Sequence, residues 1–393
     1  MLKTLKSFGL KDKRVLIRVD FNVPIENDRV TDDFRIRAAL PTIQYCLNEG
    51  AKVILMSHSG RPNGIVDPNL SLMPAGEKLA DLLEMPIKFS DNCISEDAHD
   101  VTLGLRSGEI HLLENLRFHI EEKNNDQSFS INLAKHGQVF INDAFGTAHR
   151  SHASNVGVSK YYNQKGMGFL IEKELEFLDE AMKVPKKPLT VILGGAKIDT
   201  KIDLINRFIQ IADQILIGGG MAFTFLKAKG KDIGTSLIDP SMISEAKSIL
   251  ANARGKTNLI FPKDFICAKS MNDKHGSIFN SNEIPSDLMG LDIGPETIDL
   301  FSKIILDSGT ILWNGPMGVF EVDGFHKGTE KIADSISRAT KEESKTIVGG
   351  GDSSAAIKKF GMMRNFSHVS TGGGAALSLL SGNIMPAIYA LEI

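Results

Sequence analysis

The stretch Arg18-Val19-Asp20-Phe21-Asn22-Val23-Pro24 places a guanidinium, a carboxylate and an amide directly after an apolar run, Val15-Leu16-Ile17. That run is of buried-strand type, and Pro24 ends its ladder. The arrangement recurs three times. Val53-Ile54-Leu55-Met56 leads into Ser57-His58-Ser59-Gly60-Arg61-Pro62, and Ile110-His111-Leu112-Leu113 into Glu114-Asn115-Leu116-Arg117. Val139-Phe140-Ile141 leads into a segment that ends His149-Arg150-Ser151-His152. Four apolar runs thus deliver an arginine, and two deliver a histidine, where open α/β sheets bind their ligands. Arg35, at the start of a predicted helix, joins the set. Guanidinium forks match carboxylate and phosphate oxygens bidentately, so the chemistry implied is a pocket for a small, highly anionic ligand. A histidine metal pair is the competing reading, but His149 and His152 have no neighbouring carboxylate run and make a poor zinc pattern. No Ser-His-Asp elbow, HExxH or EF-hand loop is present.

The second half of the chain ends its apolar runs in glycine instead of charge. Thr190-Val191-Ile192-Leu193 runs into Gly194-Gly195, and Gln214-Ile215-Leu216-Ile217 into Gly218-Gly219-Gly220. Thr346-Ile347-Val348 runs into Gly349-Gly350-Gly351, and His368-Val369-Ser370-Thr371 into Gly372-Gly373-Gly374. Glycines between a strand and a helix leave backbone N–H groups free and let phosphate oxygens approach. Tight turns in a packed α/β domain would look the same. Neither GxxxxGK[ST] nor GxGxxG occurs in the required context. Asp352 could hold Mg²⁺ against a phosphate or simply cap a helix. Lys197 and Lys201, four apart, share a helix face beside Gly194-Gly195, which suits either an anion or a solvated basic surface.

These side chains need elements to position them. With 393 residues the chain exceeds one ordinary core, so two domains are expected. Strand and helix alternate throughout, which argues for two parallel sheets. Helices are predicted over 35–47, 75–83 and 172–184, with further strands at 258–261 and 310–313. The domain boundary is placed in or beside the 172–184 helix. A 42% hydrophobic, 24% charged composition is that of a globular protein. The net charge of −3 gives no reason to expect nucleic acid or an anionic membrane as partner. The longest apolar run, residues 215–226, is broken by glycines and too short to span a bilayer. Nothing after Met1 reads as a signal peptide. Three scattered cysteines, Cys46, Cys93 and Cys267, form no CxxC pair and suit a reducing compartment.

Taken together, RVDFNVP (18–24), SHSGRP (57–62), LLENLRF (112–118), NDAFGTAHRSH (142–152), LGGAKIDTK (193–201), IGGGMAFTFL (217–226), LDIGPET (291–297), LWNGPMGVFE (312–321), GGGDS (349–353) and STGGGAA (370–376) resemble the phosphoglycerate kinase family. The matches follow family order over nearly the whole chain. The resemblance implies two doubly wound, Rossmann-like parallel-sheet domains joined by a hinge helix. It implies a triose-phosphate domain over residues 1–170, to which residues 381–393 return, and a nucleotide domain over 171–380. Asp20, Phe21, Asn22, Arg35, His58, Ser59, Gly60, Arg61, Arg117 and Arg150 would hold 3-phosphoglycerate or 1,3-bisphosphoglycerate. Lys197, Lys201, Gly294, Glu321, Gly350, Gly351, Asp352 and Ser353 would hold ADP or ATP, with Asp352 on Mg²⁺. Arg35, Lys197, Gly350 and Gly373 would act in transfer. The implied enzyme is a cytoplasmic, monomeric phosphotransferase with a carboxyl group as acceptor, without nucleic-acid or membrane partners. Ser59 stands where the family usually has Leu, Ser353 where Thr is commoner, and Ala376 and Ser378 where polar or acidic residues are more usual; no charged catalytic position is lost.

Phosphoryl transfer needs positioning and charge neutralisation more than a protein nucleophile, and no activated nucleophile is evident. Two rival functions remain at this stage. A non-catalytic binding module would be favoured by loss of Lys197 or Asp352, and both are present. A nicotinamide dehydrogenase is disfavoured by the missing GxGxxG.

Overall fold

The structure, a computed structural model, describes residues 2–392 except for the side chains of residues 180–182; Met1 and Ile393 of the expected domain ranges lie outside it. The chain divides into two compact units. Unit 1 is Met1–Glu176 with Ile384–Ile393, and unit 2 is Phe177–Asn383. The division falls inside the helix Phe169–Lys183. That helix begins earlier than periodicity suggests because Asp143 caps it: Oδ1 accepts from the N–H groups of Leu170 (2.9 Å) and Ile171 (3.3 Å).

Unit 1 contains β1 (Arg14–Arg18), a small hairpin of β2 (Ile25–Glu26) and β3 (Arg29–Val30), β4 (Lys52–Met56), β5 (Lys88–Ser90), β6 (Ile110–Leu113), β7 (Val139–Asn142) and β8 (Lys165–Met167). All but the hairpin form one parallel sheet ordered β5-β6-β4-β1-β7-β8. Connections from β1 and β7 leave in opposite directions, so the crevice at their carboxyl ends is a topological switch point. Alternation explains the layering. Val15, Ile17, Val53, Leu55, Val139 and Ile141 face one core, while Leu16, Ile54, Met56, Leu113 and Phe140 face the other. Both faces are covered, which is why the strands read as unbroken apolar runs.

Unit 2 contains β9 (Leu189–Leu193), β10 (Gln214–Ile217), β11 (Asn258–Ile260), β12 (Asp264–Ala268), β13 (Ser277–Asn280), β14 (Met289–Ile293), β15 (Thr310–Asn314), β16 (Lys345–Gly349) and β17 (His368–Val369). Its parallel sheet is ordered β11-β10-β9-β15-β16-β17, with the switch point between β9 and β15. β12, β13 and β14 make a separate antiparallel sheet that the sequence reading did not anticipate. Among the described residues, no helix is long and apolar enough to cross a membrane. The three cysteines are free and buried.

Candidate active site

In unit 1 the loops after β1, β4, β6 and β7 converge on one cluster of cations. Strand register aligns their starts, since Arg18 pairs with Met56 and with Asn142. The Asp20 carboxylate meets Arg35 NH1 at 3.0 Å, and the same nitrogen donates to the Asn22 carbonyl at 3.2 Å. Asn22 Oδ1 accepts from the Gly60 N–H at 2.9 Å. Phe21 is buried, and its N–H donates to Ser57 Oγ at 2.8 Å. Asn115 ties down the neighbouring loop: its Oδ1 accepts from the Ser59 N–H (3.1 Å) and its Nδ2 donates to the Ser59 carbonyl (2.8 Å).

Arg117 is the centre of the cluster. It is 3% exposed, and NH1 donates to the Gly60 carbonyl at 2.7 Å. Its Nε and NH2 are buried without a hydrogen-bond partner. Burial and then the charges of Arg18 and Arg150 push its pKa down to about 10. A buried donor left unpaired costs on the order of 1–3 kcal/mol, more when charged, which marks a position built to receive an acceptor. His58 is buried and held well below the ordinary histidine range, first by desolvation and then by Arg18, Arg117, Arg35 and Arg150. Desolvation and then Arg117, Arg18, Arg150 and Lys123 push His152 down to about 3. The histidines are therefore neutral members of the pocket at pH 7. Arg150 is half-buried, with Nε against His149 Nε2 at 3.3 Å. Arg61 stands at the exposed rim.

Unit 2 presents a cleft of about 330 Å³ at the β9/β15 switch point, lined by Lys197, Lys201, Gly350, Asp352 and Gly373 among others. Lys201 is 7% exposed, and its Nζ donates to the carbonyls of Gly194 and Asn314, with no carboxylate in contact. Burial lowers its pKa to about 8, and Asp352 acts in the opposite sense. Lys197 is exposed on the cleft wall. Gly350 takes φ +98° at the N-cap of the helix Gly351–Lys359. Asp352 is the second residue of that helix, whose N-cap is Gly350, and its side chain is exposed, so it does not occupy the capping position. Ser353 is buried, and its hydroxyl accepts from the Gly315 N–H at 2.6 Å.

Two predicted residues lie apart from this cleft lining. A Cβ on Gly294 would meet the Asp264 carboxylate at 2.3 Å, and Asp264 caps the helix Pro295–Leu306 through Glu296 and Thr297. That close approach accounts for the glycine. Glu321 is exposed, and its carbonyl accepts from Lys359. Glu122 and Ser154, which no motif in the sequence singles out, are fully buried behind the arginines. Glu122 sits in a run, His119 to Lys123, that reads as a solvated helix face, so no signal in the sequence marked it.

A cluster of cations in one unit and a cleft of backbone N–H groups in the other fit the phosphotransferases, which neutralise moving charge without a protein nucleophile. A sequence model of the family described as Phosphoglycerate kinase matches residues 5–383, and the chain belongs to that family. It is 48% identical to the phosphoglycerate kinase of Prosthecochloris aestuarii, over 99% of both chains. It is 47% identical to that of Gloeothece citriformis, over 100% of this chain and 98% of the other. Among solved structures, phosphoglycerate kinase from Coxiella burnetii superposes with a TM-score of 0.89 at 37% identity, covering 100% of this chain and 99% of that one. The Pyrococcus horikoshii enzyme gives 0.87 at 31% identity, covering 100% and 98%. The chain is accordingly an enzyme that transfers a phosphoryl group reversibly from 1,3-bisphosphoglycerate to ADP.

Proposed function

We propose that the unit 1 cluster binds 3-phosphoglycerate or 1,3-bisphosphoglycerate and that the unit 2 cleft binds ADP or ATP with magnesium. The observation that carries the first assignment is Arg117, whose two buried donors lack a partner among other cations. Arg61 and Arg150 complete the anion site, Asp20 and Asn22 orient Arg35, and His58 supplies a neutral polar group. Lys201, buried against carbonyls, meets the nucleotide phosphates. The donor set suits magnesium. Asp352 offers one free carboxylate on the cleft, and Mg²⁺ is usually held by one or two carboxylates plus phosphate oxygens. Among the described residues there is no group of three or more His, Cys, Asp or Glu that could cage an ion alone. When bound, the ion would neutralise phosphate charge.

Arg35, Lys197 and the N–H groups at Gly350 and Gly373 act on the transferred group, supplying positive charge where it develops in the transition state. Acyl phosphates hydrolyse readily, so transfer has to exclude water. We assign closure to the helix Phe169–Lys183, which contributes residues to both units. The enzyme acts as a cytoplasmic monomer, without nucleic-acid or membrane partners.

Isothermal titration tests the division of labour. Arg150→Ala should weaken 3-phosphoglycerate binding by at least about tenfold, the scale of a lost charge-assisted hydrogen bond, and leave ADP binding unchanged. Equal losses for both ligands would refute it.

A further inference from the structure

Behind the cation cluster runs a single line of hydrogen bonds with a fixed polarity. Arg18, 0% exposed, donates from Nε to Ser154 Oγ at 2.8 Å. The Ser154 hydroxyl donates to Glu122 Oε1 at 2.6 Å, and the Ser154 N–H to Glu122 Oε2 at 2.9 Å. On its other side Arg18 NH2 meets His58 Nδ1 at 3.2 Å, and NH1 donates to the Val19 carbonyl. Arginine only donates and a carboxylate only accepts, so the serine hydroxyl cannot reverse the line. For the same reason His58 Nδ1 must be the acceptor, which leaves its proton on Nε2.

The line joins every loop that carries the anion site. Glu122 follows the Arg117 loop after β6, and Ser154 follows the Arg150 loop after β7. Arg18 ends β1, and His58 begins the loop after β4. Glu122, together with Asp20, is a buried negative charge that opposes the mutual repulsion of Arg18 and Arg117. The charged groups facing His58 are Arg18, Arg35, Arg117 and Arg150, with the Asp20 carboxylate 3.9 Å from Nδ1.

We propose that Glu122 and Ser154 are positioning residues for the triose site: through Arg18 they hold four loops in one arrangement and fix His58 as the neutral Nε2–H tautomer, so the cationic pocket is assembled before its ligand arrives. This rests on reading the arginine cluster as the triose site. A line anchored at both ends by fixed donor and acceptor chemistry removes rotamer freedom that binding would otherwise have to remove. None of the three line members Arg18, Ser154 and Glu122 needs to touch the ligand for this effect.

Steady-state kinetics on Ser154→Ala, with Arg117→Ala in parallel, tests the proposal. Ser154→Ala should raise the KM for 3-phosphoglycerate about tenfold, with the KM for ATP and kcat within about twofold of wild type. ¹⁵N NMR of histidine-labelled protein, with His58→Gln to assign the signal, should show His58 protonated only at Nε2 in the wild type. In Ser154→Ala it should show a tautomer mixture. An unchanged triose KM in Ser154→Ala beside a raised one in Arg117→Ala would overturn the positioning role alone. An unchanged triose KM in both would overturn the triose reading itself. Equal rises for both substrates with an unaltered His58 signal would reduce Ser154 to a packing residue and overturn the proposal. If Ser154→Ala does not fold, Ser154→Cys, which keeps a weakly hydrogen-bonding side chain, should give a smaller selective rise, and its failure to do so would count equally against the idea.

Discussion

The two crevices offer an anion different atoms. Unit 1 uses guanidinium side chains, and unit 2 uses backbone N–H groups and one buried lysine. Side chains on loops have to be held in place, and unit 1 spends buried polar residues on that: Asp20 holds Arg35, Asn115 holds the Ser59 loop, and Glu122 and Ser154 hold Arg18. Backbone donors come already positioned, and unit 2 achieves this by packing its loops against each other. A Cβ on Gly194 would sit 2.1 Å from the Pro316 carbonyl, so that turn tolerates only glycine. Gly351 and Gly373, by contrast, have open space where a Cβ would lie. The glycine turns therefore divide into those that pack loops and those that face the cleft. Specificity for a particular anion is expected from the first crevice and general phosphate affinity from the second.

The most severe test of that contrast is Lys197→Ala. Lys197 is an exposed cation on the unit 2 cleft, whereas the Lys201 ammonium donates to the carbonyls of Gly194 and Asn314. Loss of a cation that contacts charge developing in the transition state costs about 3–4 kcal/mol, a factor on the order of 100–1,000 in kcat. ADP affinity should change far less. A fall in kcat below about threefold would remove Lys197 from the reaction.

A smaller effect comes from titration. Burial brings the Lys201 ammonium down to about 8, so most of its charge is present at pH 7 and most is lost by pH 9. ADP affinity measured calorimetrically should weaken by about tenfold between pH 7 and pH 9 if the cation is essential. Triose affinity should hardly move, because arginines stay charged over that range. Lys201→Arg should flatten the ADP profile. Parallel pH profiles for both ligands would erase the distinction between the crevices.

Much of this was legible in the sequence because both parallel sheets are buried on both faces, so their strands appear as apolar runs with chemistry at one end. The cations after β1, β4, β6 and β7 converge for that reason. The rest depended on contacts between distant residues. Nothing in the local pattern separates Glu122, fully buried, from Glu121 beside it, which is exposed. The family motif names Gly294 for the nucleotide site, and only the structure shows the Asp264 carboxylate packed against it. That sheet itself was missed because β13 is largely exposed and carries no buried-strand signature.

The smallest expected effect separates the units by stability instead of binding. Unit 1 buries His111 and His136 away from the cation cluster, joined through Thr102: Oγ1 lies 2.9 Å from His111 Nδ1 and 2.7 Å from His136 Nδ1. Desolvation leads in lowering both, to about 4 for His111 and about 3 for His136. An unfolded histidine titrates near 6.5, so below that pH the unfolded chain binds more protons than the folded one. Stability is therefore intact above about pH 6.5 and falls as pH drops toward 4. By pH 5.5 each imidazole should have removed on the order of 1 kcal/mol from unit 1. Hydrogen exchange at pH 7.5 and 5.5, corrected for intrinsic rates, should show protection lost first in β5, β6 and the helix Glu96–Leu103, with unit 2 amides less affected. His111→Asn, which removes one titrating ring but keeps polar groups for Ser90 and Thr102, should reduce the acid sensitivity by one imidazole's share, on the order of 1 kcal/mol at pH 5.5, and restore protection in β5 and β6. Uniform loss across both units would show that the histidine network does not set the acid limit of unit 1.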